Sequence, residues 1–68
     1  MSVREWGGVY FILDGSEYAF RSWTKVPRVG DTVVFSSTDE PFEVLRVLWR
    51  EERSPPNRPY VEAIIKRR

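Results

Sequence analysis

Sixty-eight residues are enough for one domain with one small core, near the lower size at which a chain folds without a disulfide or metal to hold it. The chain has no cysteine and no histidine, which excludes disulfides and thiolate or imidazole metal sites and leaves packing to supply the stability. Ten aromatic residues (three Trp, three Tyr, four Phe) provide the material, and a net charge of +1 is ordinary for a folded domain. No apolar run approaches the about 20 residues of a membrane span, and the N-terminus lacks the basic start and apolar centre of a signal peptide. The expectation is a single cytoplasmic domain over residues 1–68, without membrane association or cofactor. The charge is divided along the chain: residues 1–43 sum to −3 and residues 44–68 to +4. It forms a surface dipole only if the fold keeps the halves apart.

In chain order, the first signal is VYFILDGSEYAFRSW, two apolar runs around Asp14-Gly15. Both central residues of a type I′ turn need positive φ, which glycine adopts freely and aspartate tolerates, so the pattern predicts a hairpin with strands near 3–13 and 17–23. On the first strand Val9, Phe11 and Leu13 point one way and Tyr10 and Ile12 the other. A strand apolar on both faces is central in a curled sheet or covered on its second side. Gly7-Gly8 predicts a bulge or sharp bend. In TKVPRVGDTVVF, Pro27 interrupts the ladder, Gly30-Asp31 makes a turn, and Thr32 to Phe35 reads as a strand. Ser36 to Pro41 is a polar connection. Tyr60 to Lys66 alternates, with Val61, Ala63 and Ile65 inward and Glu62 and Lys66 outward.

PFEVLRVLWREER admits two readings. At 100° per residue Glu43, Arg46, Arg50 and Arg53 fall on one polar stripe, which predicts a helix at about 40–53. Val44, Val47 and Trp49 prefer strands; Leu45, Val47 and Trp49 share one strand face, and Phe42 and Val44 share the other across a bulge. The strand reading completes an all-β fold, a small five-stranded and strongly bent barrel of SH3-like type, with the oligonucleotide-binding type of barrel as second choice, in which closure removes exposed edges. The alternative is a sheet with one helix. VPRVGDTVVF, followed by FEVLRVLW and YVEAIIKRR, resembles small bacterial and phage proteins with SH3-like barrels, in which a Pro-x-Val-Gly-Asp-x-Val stretch leads into a long hairpin. The resemblance covers Val26 to Lys66 and implies a fold and a phage or bacterial setting, with no catalytic residue attached. VGDTVVF also looks like the nucleic-acid-associated KOW motif of some SH3-like barrels, without that motif's later glycines.

Catalysis is discounted, because the usual general base and the thiol nucleophile are both missing and Ser36, Ser37 and Ser54 have no visible activating base. Asp39, Glu40 and Glu43 form an acidic cluster without the spacing of a cation-binding loop. Nucleic-acid binding would use Arg50, Arg53, Arg58, Lys66, Arg67 and Arg68, provided they converge, with Trp49 and Tyr60 as stacking platforms. Glu51 and Glu52 interrupt that set. Protein binding fits Trp49, Arg50, Arg53, Arg58 and Tyr60, since Trp, Tyr and Arg bury much area while keeping a polar handle. Trp6, Trp23 and Trp49 cannot all be enclosed by so small a core, so an exposed aromatic patch is expected.

The leading expectation is a non-enzymatic protein-interaction or accessory module, self-associating or bound to a protein partner, ahead of a nucleic-acid binder. Recognition of proline-rich peptides is set aside because no acidic, tyrosine-rich loops are visible. Trp49 and Tyr60 are expected to face each other at the base of a hairpin. The loop Arg50 to Pro59 is longer than a hairpin needs, and Pro55-Pro56 and Pro59 are expected to stiffen it toward polyproline geometry. Arg53 and Arg58 then either reach a partner or fold back onto Glu51 and Glu52.

Overall fold

A computed structural model describes residues 7–68. Expectations for residues 3–6, including Trp6, lie outside them. The described chain forms β1 (Val9–Leu13), β2 (Ser16–Arg21), β3 (Thr32–Val34), β4 (Pro41–Glu51) and β5 (Pro59–Arg67), in one sheet of order β2-β1-β5-β4-β3. The fold is all-β, and the sheet curls into a half-barrel. No helix occurs among the described residues, and 41–51 is strand. Neighbours pair antiparallel except β1 and β5, which run parallel. Closure is incomplete: β2 and β3 remain as edges.

Each turn follows from its residues. Asp14 and Gly15 have φ of 52° and 81°, the two positive values of a type I′ hairpin, and Leu13 pairs directly with Ser16. Gly30 at φ 95° occupies the third position of the turn Arg28-Val29-Gly30-Asp31, whose Asp31 N–H donates to the Arg28 carbonyl at 3.0 Å. The Asp31 carboxylate accepts the Arg28 N–H at 2.8 Å, closing the turn a second time. Gly8 bends the chain just before β1 at φ 91°, and its missing Cβ would stand 2.5 Å from the Phe20 ring.

Two bulges decide which residues turn inward. On β2, Ala19 opposes Phe11 and Glu17 opposes Ile12, so Tyr18 is the extra residue; it packs on the core. On β4, Val44 opposes Ile65 and Arg46 opposes Ile64, which makes Leu45 extra. Beyond that bulge Val47 opposes Ala63 and packs on the core that already holds Phe42 and Val44. The expected split of this strand, with Val47 opposite Phe42 and Val44, is therefore corrected: all three serve the concave side. The helix-like spacing has the same origin, because the extra residue puts Glu43 and Arg46 three apart on one face.

The core occupies the concave side: Val9, Phe11, Val33, Phe35, Phe42, Val44, Val61, Ala63 and Ile65 are buried. Phe35, just after β3, meets the rings of Phe11 at 4.9 Å, Tyr18 at 5.7 Å and Phe42 at 5.8 Å, and the Arg21 guanidinium lies 5.1 Å from its centroid. Trp23 rests edge-on against Phe11 at 5.5 Å while staying 40% exposed. Trp49 is 63% exposed. The aromatic surplus thus reaches the surface as expected.

Phe35→Ala is expected to cost about 4 kcal/mol, most of the stability of a domain this size, and to abolish cooperative thermal unfolding followed by near-UV circular dichroism. Gly8→Ala should lose about 2 kcal/mol and Gly15→Ala about 1 kcal/mol in urea unfolding, because both need positive φ but only Gly8 has a ring in the way.

Candidate protein-binding groove

The outward face of the sheet is apolar where a solvated sheet would be polar. The alternation that buries Val9, Phe11, Val61 and Ala63 turns Tyr10, Ile12, Tyr60, Glu62 and Ile64 outward. The parallel register sets Tyr10 beside Glu62 and Ile12 beside Ile64, and on the other flank Phe20 opposes Tyr10 and Glu17 opposes Ile12. The rings touch across three strands: Tyr10 to Phe20 at 4.8 Å and Tyr10 to Tyr60 at 5.5 Å, tilted and edge-on. Phe20 lies over Gly8, the one residue there that leaves room for it.

Beside this ladder runs an open groove of about 470 Å³, lined by Gly7, Tyr10, Ile12, Glu17, Glu52, Arg53, Tyr60 and Glu62. Gly7 holds its base, donating its N–H to the Pro59 carbonyl at 2.8 Å; a Cβ there would sit 2.9 Å from that oxygen. The loop after β4 forms one end. The ladder continues to Glu51 and Pro59, so the loop spans residues 52–58 and is shorter than expected. It is a compact turn: the Asn57 N–H donates to the Ser54 carbonyl at 2.9 Å around a cis Pro55-Pro56 bond, and Asn57 Nδ2 donates to the Glu52 carbonyl at 2.8 Å. The expected extended polyproline form is not adopted, because side chains inside the loop satisfy its backbone.

Arg58 belongs to that internal structure. Its backbone N–H and its Nε both donate to Glu52 Oε1 at 3.2 Å, and Nη2 lies 3.1 Å from Oε2. The side-chain hydrogen bond from Arg58, then its backbone N–H, holds the Glu52 carboxyl below the usual glutamate range. Arg50 Nε donates to Glu62 Oε1 at 2.6 Å, which raises the guanidinium pKa further and fixes both side chains on the outward face. Glu51 appears in neither pair, so the partners of the loop arginines are Glu52 and Glu62.

The residues singled out from the sequence divide between two faces. Arg50 opposes Tyr60 and Trp49 opposes Val61, so Trp49 and Tyr60 point to opposite sides and do not face each other. Arg53 and Tyr60 line the groove, Arg50 braces its Glu62 wall, Arg58 organises the loop, and Trp49 lies elsewhere. Tyr10, Ile12 and Glu17 also line the groove, outside the set of site residues expected from the sequence. The signal for Tyr10 and Ile12 is the first strand's two apolar faces, with β1 a central strand whose second face has no covering element among the described residues; Glu17, on β2, carries no such signal.

The six cations of the nucleic-acid reading do not converge. Arg50, Arg53 and Arg58 sit where β5 begins, while Lys66, Arg67 and Arg68 lie at its other end, about 20 Å away along the strand. Five of the six have a glutamate: Arg67 with Glu40 at 2.7 Å, Lys66 and Arg68 with Glu43 at 4.0 and 3.5 Å, and Arg50 and Arg58 as above. Arg67 also lies over the Phe42 ring at 5.7 Å. The acidic cluster is thereby divided, with Glu40 and Glu43 engaged by the C-terminal cations, and the charge asymmetry of the two halves is largely cancelled in space. Comparison of the chain with protein-family models, curated proteins and solved structures gives no match.

Because the Glu52 carboxyl titrates below its unfolded value, the stabilisation it gives is present above the ordinary glutamate range and is lost as pH falls through the folded-state value. Carbon-detected NMR titration should show Glu52 below the usual glutamate range in the wild type and returned toward it in Arg58→Ala, with an acid-unfolding profile that loses the same step.

Proposed function

We propose that this chain is a non-enzymatic protein-interaction module, the accessory role that its resemblance to small phage and bacterial barrels implies, and that it binds through the outward groove. The supporting observation is the Phe20–Tyr10–Tyr60 ladder: three rings placed side by side on the solvent face of a sheet whose core lies on the other side. Such a patch gains its free energy on being covered, since its apolar area is already assembled and its side chains are held by one another, which limits the entropy lost on docking. The rim suits a protein. Arg50–Glu62 and Arg58–Glu52 are pre-paired, so covering them strands no lone charge, while Arg53 and Glu17 are left to contact a partner. Catalysis has no support among these groups, and the dispersed, glutamate-paired cations favour no polyanion.

Tagged protein in a native-host lysate should retain a defined set of polypeptides, its own untagged copy included, that is lost with Tyr60→Ala and Arg53→Ala. Equal capture by wild type and variants overturns the reading. Arg53→Ala should shift stability by less than about 0.5 kcal/mol, so its loss of capture would report the surface and not the fold.

A further inference from the structure

We infer that the occupant of the groove is a second copy of this chain, docked face to face about a two-fold axis, with Glu17 of each copy paired to Arg53 of the other. This rests on the reading of the groove as a protein-binding site and goes on to identify the partner. Of the four charged groups that line the groove, two are already satisfied: Glu52 by Arg58 and Glu62 by Arg50. Among the described residues the side chains of Glu17 and Arg53 have neither an ion-pair nor a hydrogen-bond partner. They are opposite in sign and stand at opposite ends. Glu17 opposes Ile12 near the Asp14-Gly15 hairpin, while Arg53 lies in the loop beyond the Glu51–Pro59 end of the ladder. From Tyr60 to Ile64, which is beside Ile12, the sheet runs four residues, about 13 Å.

A surface with one free acid and one free base at its two ends is complementary to itself under a two-fold rotation, the symmetry in which residue i meets residue j and j meets i. Among the residues that line the groove, the rotation matches each free charge with its opposite; Arg46, outward on β4 beside Ile64, is exposed and lies outside that lining. The apolar relief agrees. Phe20 stands 40% exposed on β2 beside the groove, and the floor is Tyr10, Ile12 and Tyr60. One face thus carries both a ridge and a hollow, and the two-fold lays each copy's ridge along the other's hollow. An unrelated basic peptide fits less well, because two of the three groove carboxylates already hold arginines. The second groove, beside β3, also holds a cation and a carboxylate, Lys25 and Asp31, but the Asp31 carboxylate is taken up within its own turn by the Arg28 N–H at 2.8 Å, so no free acid and free base face each other there.

Size-exclusion chromatography with light scattering on the full chain, up to about 1 mM, should show a concentration-dependent rise toward twice the 8.1 kDa of one chain. Glu17→Arg and Arg53→Glu should each weaken dimerisation by about tenfold or more, and the double reversal Glu17→Arg/Arg53→Glu should restore it. Near-UV circular dichroism reports whether each variant is folded, and Glu17→Gln with Arg53→Gln repeats the test with smaller changes. A wild type that stays monomeric overturns the proposal, as does a dimer indifferent to both single changes or one that the double reversal fails to rescue. A monomer that still captures other polypeptides in a Tyr60-dependent way overturns self-pairing alone, whereas loss of both overturns the groove reading as well.

Discussion

Phe35 holds the two edges of the sheet together. Hydrogen bonding leaves the half-barrel open between β2 and β3, and Phe35 leaves the end of β3 to meet Tyr18 of β2, Phe11 of β1 and Phe42 of β4, with Tyr18 also meeting Phe42 directly at 5.1 Å. Closure by packing has a different consequence from closure by a ladder. A ladder would need matching strand lengths, whereas β3 is only three residues long and cannot supply one. An aromatic side chain reaches farther than a backbone hydrogen bond and buries a large area at a single point. The Arg21 guanidinium over its face completes the cover where the core would otherwise meet water.

The outward face depends on that inward one. Because the concave side is filled by β1, β4 and β5 together with Phe35, the opposite side of the same strands has no covering element among the described residues, yet its residues are aromatic and aliphatic. The two bulges set what stands there. Tyr18, as the extra residue of β2, turns inward and leaves Glu17 opposite Ile12 on the outward side; Leu45, as the extra residue of β4, returns Val47 to the core and puts Arg46 and Arg50 on the outside. A charged rim around an aromatic centre follows directly from those two register shifts.

Much of this was legible in the residues because it depends on neighbours in sequence. Asp14-Gly15 and Gly30 announced their turns through the positive φ each turn demands, and Val61, Ala63 and Ile65 announced a buried face through period two. The segment 42–53 was ambiguous for a definite reason: one inserted residue at Leu45 changes a two-residue period into a three-residue step, which a helix also produces. The site was harder to read. Tyr10 and Ile12 were recognised as an unexplained second apolar face, but pairing them with Tyr60, Glu62 and Arg53 required knowing that β1 and β5 lie side by side. Those strands are separated by residues 14–58, and nothing local in either one specifies parallel contact with the other.

The loop shows the same division. Its arginines, prolines and glutamates were visible as an unusual composition, and that composition proved compatible with an extended finger as well as with the compact turn actually formed. What separates them is whether Glu52 accepts from Arg58 and Asn57 donates to the Glu52 carbonyl, and those bonds exist only when the chain returns on itself. By itself the sequence determined the turns, the inward alternation of the last strand and the absence of thiol and imidazole side chains, because each follows from residue type and short-range geometry, whereas the all-β class waited on the pairing of 41–51 as a strand. The tertiary structure alone decided that Trp49 and Tyr60 part to opposite faces, that the six cations disperse and all but Arg53 pair with glutamates, and that Tyr10, Tyr60, Glu17 and Arg53 share one groove, because those relations are set by strand order and register between segments far apart in the chain.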